Sequence, residues 1–464
     1  MQWKGTLFGR KFFFIRFLSK NIWSETIKTL YLQSTKVRIA AKKSTDMEIK
    51  RDSLLSRLMG LRHNGMIKVV TGMRRCGKSY LLFNLFSDAL KAEGVDDRHI
   101  IKVNLEDRRN KELRNPDKLL EYIDGCLKDD QMHYVLLDEV QLVDEFEDVL
   151  NSYLHVPNAD VYVTGSNARF LSKDVITEFR GRGWEVRVHP LSFREICEAK
   201  PDVPKEQLWL EYMTYGGLPQ VVTMTSDEER VAYLKGLFKH TYLKDIKERY
   251  DIKLDDDLEE LIATLASSVG GLTNPRKLAD TFQSVKNSKI TQDTVKVYLD
   301  YLQDAFIVER ALRYDIKGKR YIDTPSKFYF EDLGLRNALL NFRQVETTHL
   351  MENAIYNELR ARGMSVDVGE VVWNTKDDDG KKVRKALEVD FVCNQGYKRS
   401  YIQSAYRIPD DEKREQELQS LRRIDDSFQK IVIVGDHSPR YQNEDGILFM
   451  DIYDFMLDER SVVI

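Results

Sequence analysis

The sequence predicts an α/β chain: a parallel-sheet domain first, then three helices with a hairpin, then a second α/β domain. Three observations carry this expectation. The first is a β-branched run, Met66-Ile67-Lys68-Val69-Val70-Thr71, followed by a glycine-bounded loop and by Leu81, Leu82, Leu85 and Phe86 at helical spacing. The second is the continuous apolar run Tyr134-Val135-Leu136-Leu137, which suits a strand buried on both faces of a parallel sheet and ends in Asp138-Glu139. The third is a change of character after residue 250, where three helical patterns precede two strand-like runs.

The loop reads Gly72-Met73-Arg74-Arg75-Cys76-Gly77-Lys78-Ser79 and leads into Tyr80. G-x-x-x-x-G-K-S between a strand and a helix is a phosphate-binding P-loop. Gly72 and Gly77 let the backbone curl so that successive N–H groups point inward at phosphate oxygens. The helix opening near Lys78 adds its positive N-terminal dipole. Lys78 is expected on the β- and γ-phosphates, with the Ser79 hydroxyl on Mg²⁺. ATP and Mg²⁺ are therefore the expected ligands. Cys76 could make the loop thiol-sensitive or simply be an inert loop residue.

Composition bounds the rest. The chain has 464 residues and a formal charge of −3, which gives no global sign of nucleic-acid binding. Charged residues make up 32% and no long apolar run occurs, so no transmembrane segment is expected and the chain reads as cytoplasmic. Cys76, Cys126, Cys197 and Cys393 are widely spaced, with no C-x-x-C pair, which argues against both a disulfide framework and a zinc cluster. Charge is uneven: residues 1–46 hold ten lysines and arginines against Glu25 and Asp46. Phe12–Leu18 could lie on an anionic membrane surface. The plainer expectation is a start at Met47, with residues 1–46 an upstream read-through.

Further strands are expected at Ile100–Leu105 and Asp160–Thr164, with a helix over 117–128 between them. Asp138 at the end of its strand can join the Mg²⁺ shell, while Glu139 orients and deprotonates the attacking water. Asn167, after Asp160–Thr164, would face the γ-phosphate and that water, or merely stabilise a turn. In Phe179-Arg180-Gly181-Arg182-Gly183, Arg180 is the better candidate for an arginine that stabilises transition-state charge, in cis or from a neighbouring subunit of a homo-oligomer. A plain solvated arginine pair is the alternative.

The ordered set Gly72–Ser79, Leu136–Glu139, Thr164–Asn167 and Pro190-Leu191-Ser192-Phe193 resembles the AAA-type ATP-binding proteins of bacteria and archaea. These pair an N-terminal P-loop ATPase with a C-terminal domain of unknown function, and the resemblance covers roughly residues 47 to 464. It implies an additional-strand P-loop core, with the strand before Asn167 lying between those bearing the P-loop and Asp138. Tyr215-Gly216-Gly217-Leu218-Pro219 resembles the Gly-x-Pro element of signalling NTPases, which implies that Pro219 packs on adenine. Read from the residues alone, Gly-Gly-x-Pro is a turn signal.

Residues 256–310 give helices at Leu258–Ala266, Asn274–Phe282 and Thr291–Ala305, followed by Ile307–Tyr314, a turn near Lys317–Arg320, and Phe328–Phe330. Three helices and a hairpin describe a winged helix. Gln292, Lys296 and Tyr298 on its third helix and Lys317, Lys319 and Arg320 on its wing could touch nucleic-acid phosphates. Asp293, Asp300 and Asp304 on the same helix would repel DNA, so an intramolecular packing role stays open.

The last segment, with a helix from Met351 and strands through Ala386–Val392 and Tyr401–Tyr406, resembles the PD-(D/E)-x-K nuclease fold. Glu352 and Asp390 match its first two acids. Gln403 stands where the third acid belongs and Ala405 where the lysine belongs, which implies a degenerate site without chemistry. The expected organisation is a basic leader at 1–46, a P-loop domain with helical lid at 47–250, a winged helix at 251–344 and a nuclease-like domain at 345–464. The expected activity is ATP hydrolysis that moves the C-terminal domains. The alternatives are a slow nucleotide-gated binding switch and an ATP-regulated nuclease.

Overall fold

The computed structural model describes residues 49–165, 181–252, 255–286, 288–343, 345–376 and 382–462. Five strands, β1 (Ile67–Thr71), β2 (Ile100–Asn104), β3 (His133–Asp138), β4 (Ala159–Thr164) and β5 (Gly183–Arg187), form one sheet in the order β2-β3-β4-β1-β5. Every pairing is parallel. All residues of β1 and β3 are buried, as expected of strands covered on both faces. One face packs Val69, Val103, Val135, Leu137 and Val163 against Leu119, Ile123, Val149 and Leu150 from the covering helices. Strand β4 lies between β1 and β3, so the loops leaving the carboxyl ends of all three emerge side by side.

One charged pair interrupts this apolar sheet. Lys68 of β1 meets Asp160 of β4 with both side chains buried, and the Tyr162 hydroxyl donates to Asp160 Oδ2 at 3.0 Å. The lysine also lies 4.7 Å from the Tyr162 ring centroid. A charge inside a β-branched run is the signal for such a partner on the neighbouring strand.

The helix after the P-loop opens at Lys78–Tyr80, widens through a π-helical stretch at Leu81–Phe86 and closes at Ser87–Ala92. Pro190-Leu191-Ser192-Phe193 has a local explanation. The Ser192 hydroxyl accepts from Glu195 N at 3.2 Å and Glu195 Oε2 accepts from Ser192 N at 2.8 Å, a reciprocal cap that starts the helix Phe193–Ala199. Helices at Lys205–Tyr215, Pro219–Thr223, Asp227–Leu237 and Lys244–Tyr250 follow.

The second sheet has nine strands. They are β6 (Leu272–Thr273), β7 (Val308–Asp315), β8 (Arg320–Phe330), β9 (Ser365–Lys376), β10 (Lys382–Gln395), β11 (Lys398–Ala405), β12 (Gln429–Val434), β13 (Tyr441–Gln442) and β14 (Leu448–Asp451), in the order β13-β14-β12-β11-β10-β9-β7-β8-β6. Helices Asp255–Ser267, Pro275–Lys286 and Gln292–Asp304 precede the β7–β8 hairpin. That hairpin does not stand alone. Strand β7 pairs in parallel with β9, from Arg313 opposite Val368 to Asp315 opposite Glu370, and Arg313 is 2.8 Å from Glu370. Strands from both sides of the boundary expected at 344/345 thus belong to one sheet. Three of the four charged side chains expected to face nucleic acid meet this chain's own acids: Lys317 lies 3.2 Å from Asp425, Arg320 3.6 Å from Asp315 and Lys296 3.4 Å from Asp293, while Lys319 is exposed. Tyr298 is buried.

Side chains at the end of β8 tie the two sheets together. Glu331 accepts from Arg187 at 2.9 Å and lies 2.6 Å from His189 Nδ1. Asp332 Oδ2 accepts from Gly217 N at 2.8 Å, and Asn337 donates to the carbonyls of Met213 and Thr214 at 2.8 and 2.9 Å. Burial opposes the Glu331 charge, but Arg187 and His189 outweigh it and hold that carboxyl well below its usual range. Asp332 faces no such cations. Burial raises it to about 6 despite the N–H groups of Leu335 and Gly217.

Candidate functional site

The P-loop bridges β1 and the helix from Lys78, and its shape follows from its glycines. Gly72 has φ 139° and Gly77 φ 103°, values that L side chains rarely adopt. A Cβ at Gly72 would lie 2.1 Å from the Val188 carbonyl oxygen, so this backbone also needs glycine for its approach to the strand end beside it. Arg75 takes a left-handed φ of 66° between them. Met73 and Cys76 are fully buried, while Tyr80 is 47% exposed. Burial pushes the Cys76 thiol up despite Lys78 and Arg51 nearby, which is the inert of the two roles considered for it.

Lys78 curls back over the loop and donates to the carbonyls of Gly72 and Met73 at 2.9 and 3.0 Å. Ser79 Oγ donates to Asp138 Oδ1 at 2.8 Å, which joins the P-loop to the end of β3. The same carboxylate oxygen accepts from Thr164 Oγ1 at 2.6 Å, and Thr164 Oγ1 accepts from Glu139 N at 3.0 Å. Burial raises the Asp138 carboxyl, partly offset by these hydroxyls. Glu139 follows in a left-handed conformation, φ 56°, and its carboxylate meets the Gln141 amide. Two hard oxygen donors 2.8 Å apart, Ser79 and Asp138, match the ligand chemistry of Mg²⁺.

Lys78, Ser79, Asp138 and Glu139 therefore converge, and Pro219 joins them: its Cγ would be 3.7 Å from a Cβ at Gly77. Asn167 and Arg180 lie outside the described residues. Thr164 was not singled out in the sequence, yet it wires β4 to both acids; a hydroxyl ending an apolar strand between the two motif strands is the signal that points to it. Other contacts were not legible at all. Tyr242 donates to the Arg74 carbonyl at 2.6 Å and Asp245 lies 2.6 Å from Arg74, so the lid helices grip the loop. Arg51 donates to the carbonyls of Cys76 at 3.3 Å and His189 at 2.9 Å, and its Nε lies 2.8 Å from Glu195. A cleft of about 680 Å³ beside Arg51 holds Arg194 and Arg362, but these arginines face Glu198, Glu459 and Glu358 at 2.7–3.1 Å rather than an open anion site.

Glu352, on the helix Thr347–Ala361, and Asp390 of β10 gather round one lysine. Lys327 of β8 stands between them, 2.9 Å from Glu352, 2.6 Å from Glu388 and 4.0 Å from Asp390. Ala405 supplies no cation, as its side chain dictates, but the site holds one from another strand. Tyr329 donates to Glu352 at 2.6 Å, Ser404 N donates to Asp390 Oδ2 at 2.8 Å, and Gln403 donates to Glu417 at 3.2 Å. Burial and the neighbouring Glu352 push the Asp390 carboxyl up.

Residues 64–197 match the family model of an AAA domain, and residues 206–346 match that of a domain of unknown function. With the five parallel strands, this defines an AAA-type P-loop domain in the N-terminal half. The chain belongs to the same family as an uncharacterized protein of Haemophilus influenzae, to which it is 32% identical over 414 residues, 88% of this chain and 98% of that one. An uncharacterized protein of Methanocaldococcus jannaschii is 27% identical over 368 residues, 77% of this chain and 78% of the relative. Among solved structures, a Walker-type ATPase of Pyrococcus abyssi aligns with a TM-score of 0.46 at 16% identity, over 63% of this chain and 96% of that one. Among the described residues, no helix is long and apolar enough to cross a membrane.

Proposed function

We propose that the chain is a Mg²⁺-dependent ATPase whose nucleotide cycle moves its C-terminal region. The observation that carries this reading is the 2.8 Å bond from Ser79 to Asp138, two oxygen donors brought together from separate motifs. They would hold Mg²⁺, which supplies charge neutralisation at the phosphates when bound. Lys78 would exchange the carbonyls of Gly72 and Met73 for phosphate oxygens. Pro219, beside Gly77, would cover the base. Glu139 would take the proton of the attacking water, with Thr164 holding its backbone; Asn167 and Arg180 keep the roles assigned to them from the sequence.

The contacts of Arg51 and Glu331 support the conformational half of the reading. Arg51 bonds the P-loop carbonyl of Cys76 and the carbonyl of His189, whose ring meets Glu331 at the end of β8. Any shift of the loop around phosphate would be felt along this chain of bonds. For the three-helix module, which we read as a winged helix, the pairing of Lys317 and Arg320 with this chain's acids favours packing over DNA contact. The nuclease-like reading of residues 345–464 stays without chemistry, because Lys327 fills the space among the acids that a metal would need.

Turnover by the Glu139→Gln variant tests the hydrolase. Its ATP binding should be kept and its hydrolysis should fall by about 10²- to 10⁴-fold, the worth of a positioned general base. Equal turnover by wild type and variant would replace the ATPase with a nucleotide-gated binding switch.

A further inference from the structure

We propose that His99, Asp129 and His133 form a transition-metal site, suited to zinc(II), at the edge of the first sheet opposite the P-loop. The parallel register sets Ile100 beside Tyr134, so the residues preceding them, His99 and His133, stand together at the amino ends of β2 and β3. Both rings are buried and their centroids are 4.7 Å apart. Asp129 reaches them from the loop before β3. Its carboxylate lies 3.0 Å from His99 Nε2 and 3.9 Å from His133 Nε2. One ligand atom from each residue lies within 4.8 Å of the others. Ligands held about 2.0–2.1 Å from a tetrahedral ion stand roughly 3.3 Å apart, so Asp129 is already placed and the two rings must draw together to close the set.

The surrounding bonds prepare the donors. His133 Nδ1 lies 2.8 Å from the Gln131 carbonyl, which can only accept, so Nδ1 carries the proton and Nε2 presents its lone pair. A backbone carbonyl on the far ring nitrogen is the usual support of a metal-bound histidine. The loop is pinned from outside as well, since Asn158 donates to the Asp129 carbonyl at 2.9 Å and Gln131 N to Asp129 Oδ1 at 3.0 Å. With no ion, His99 Nε2 donates its proton to Asp129. A metal entering here would take Nε2 of the other neutral tautomer, the proton passing through solvent from Nε2 to Nδ1 of the same ring, and would keep a fourth position for water. Cysteine spacing could not reveal such a site, because its ligands come from two separate places in the chain and none is a cysteine.

The test uses the full chain, stripped with EDTA and titrated with Zn²⁺ or Co²⁺ in the absence of nucleotide. Wild type should take up one equivalent, with Co²⁺ giving visible absorption bands of low-coordinate geometry and Zn²⁺ raising the melting temperature. Asp129→Asn alters an exposed side chain and should keep the fold while weakening uptake at least tenfold. His133→Gln should do the same, and ATP turnover by Asp129→Asn should match wild type. No stoichiometric uptake by wild type, or uptake unchanged in Asp129→Asn, would overturn the proposal.

Discussion

The P-loop and the acid cluster of the second sheet are both built for charge, and they handle it in opposite ways. In the P-loop a lysine and a ring of backbone groups stand over the ends of three parallel strands, and among the described residues Lys78 bonds to loop carbonyls that a phosphate can replace. In the second sheet Lys327 is 4% exposed and sits against Glu352 and Glu388, with Asp390 at 4.0 Å. One cation is available for exchange; the other is consumed inside the fold. The difference teaches that a set of acids alone does not identify a metal site. What matters is whether the chain has already provided their counter-ion.

The largest expected effect separates the two lysines by function. Lys78→Ala should weaken ATP binding by about 10²- to 10⁴-fold, the worth of two charge-assisted contacts to phosphate, with little change in melting temperature. Fluorescent-nucleotide titration and thermal melting, run together, check both halves. Binding within a few-fold of wild type would remove Lys78 from the site.

Lys327→Met should do the reverse. Deleting one partner of a buried ion pair leaves the other uncompensated, at about 3–5 kcal/mol of stability, while ATP affinity stays near wild type. Urea unfolding at pH 7 measures the loss. The deficit should shrink as pH falls toward 5, because protonation then neutralises the stranded acids. A deficit that grew on acidification would mean that Lys327 does not compensate them.

Asp390 sharpens the same contrast through pH. One ammonium faces three carboxylates, so the cluster cannot stay fully ionised at no cost, and burial with Glu352 raises the Asp390 carboxyl. An acid with a raised folded pKa keeps a proton that the unfolded chain has released. Stability contributed by that proton is present below the ordinary value of 3.8 and is lost as pH rises toward the folded value. Asp390→Asn should therefore flatten the fall of stability above pH 4, by at most about 1.4 kcal/mol per pH unit. Asn can still accept from Ser404 N, so the fold is retained. An identical pH profile in wild type and variant would place the titration elsewhere.

These contrasts also explain what the sequence could reveal. Gly72–Ser79 is contiguous, and its strand, turn and helix signals reinforce one another, so the loop was legible with the strand before it and the helix after it, while the strand order came only from the family resemblance. Asp138-Glu139 ends an apolar run and was legible for the same reason. Three helices and a hairpin were legible from periodicity, but the β7–β9 pairing was not, because strand order between distant segments leaves no periodic trace. Lys327 illustrates the limit most sharply. Position 405 lacks a lysine in the sequence, and only the β8–β7–β9–β10 strand order shows that another lysine reaches the same acids. Thr164, Arg51 and Glu331 act through contacts to distant segments, which no local pattern encodes.

The smallest expected effect is a null one, and it separates a missing ligand from a filled site. If Gln403 and Ala405 were the whole reason for a silent cluster, Gln403→Glu with Ala405→Lys would restore Mn²⁺ binding and metal-dependent cleavage of DNA or RNA. In the reading favoured here the pair of changes should restore neither, since the ammonium of Lys327 still lies 2.9 Å from Glu352 and 2.6 Å from Glu388. The added lysine would bring a second cation against the first, which disfavours a divalent ion further. Adding Lys327→Met to the double variant removes the resident charge, and Mn²⁺ should then bind, with the metal returning part of the lost stability. Asp129→Asn in the background keeps the histidine site from contributing to the signal. Mn²⁺ binding by Gln403→Glu with Ala405→Lys while Lys327 is intact would show that the lysine moves aside for a metal, and would return the cluster to the list of candidate active sites.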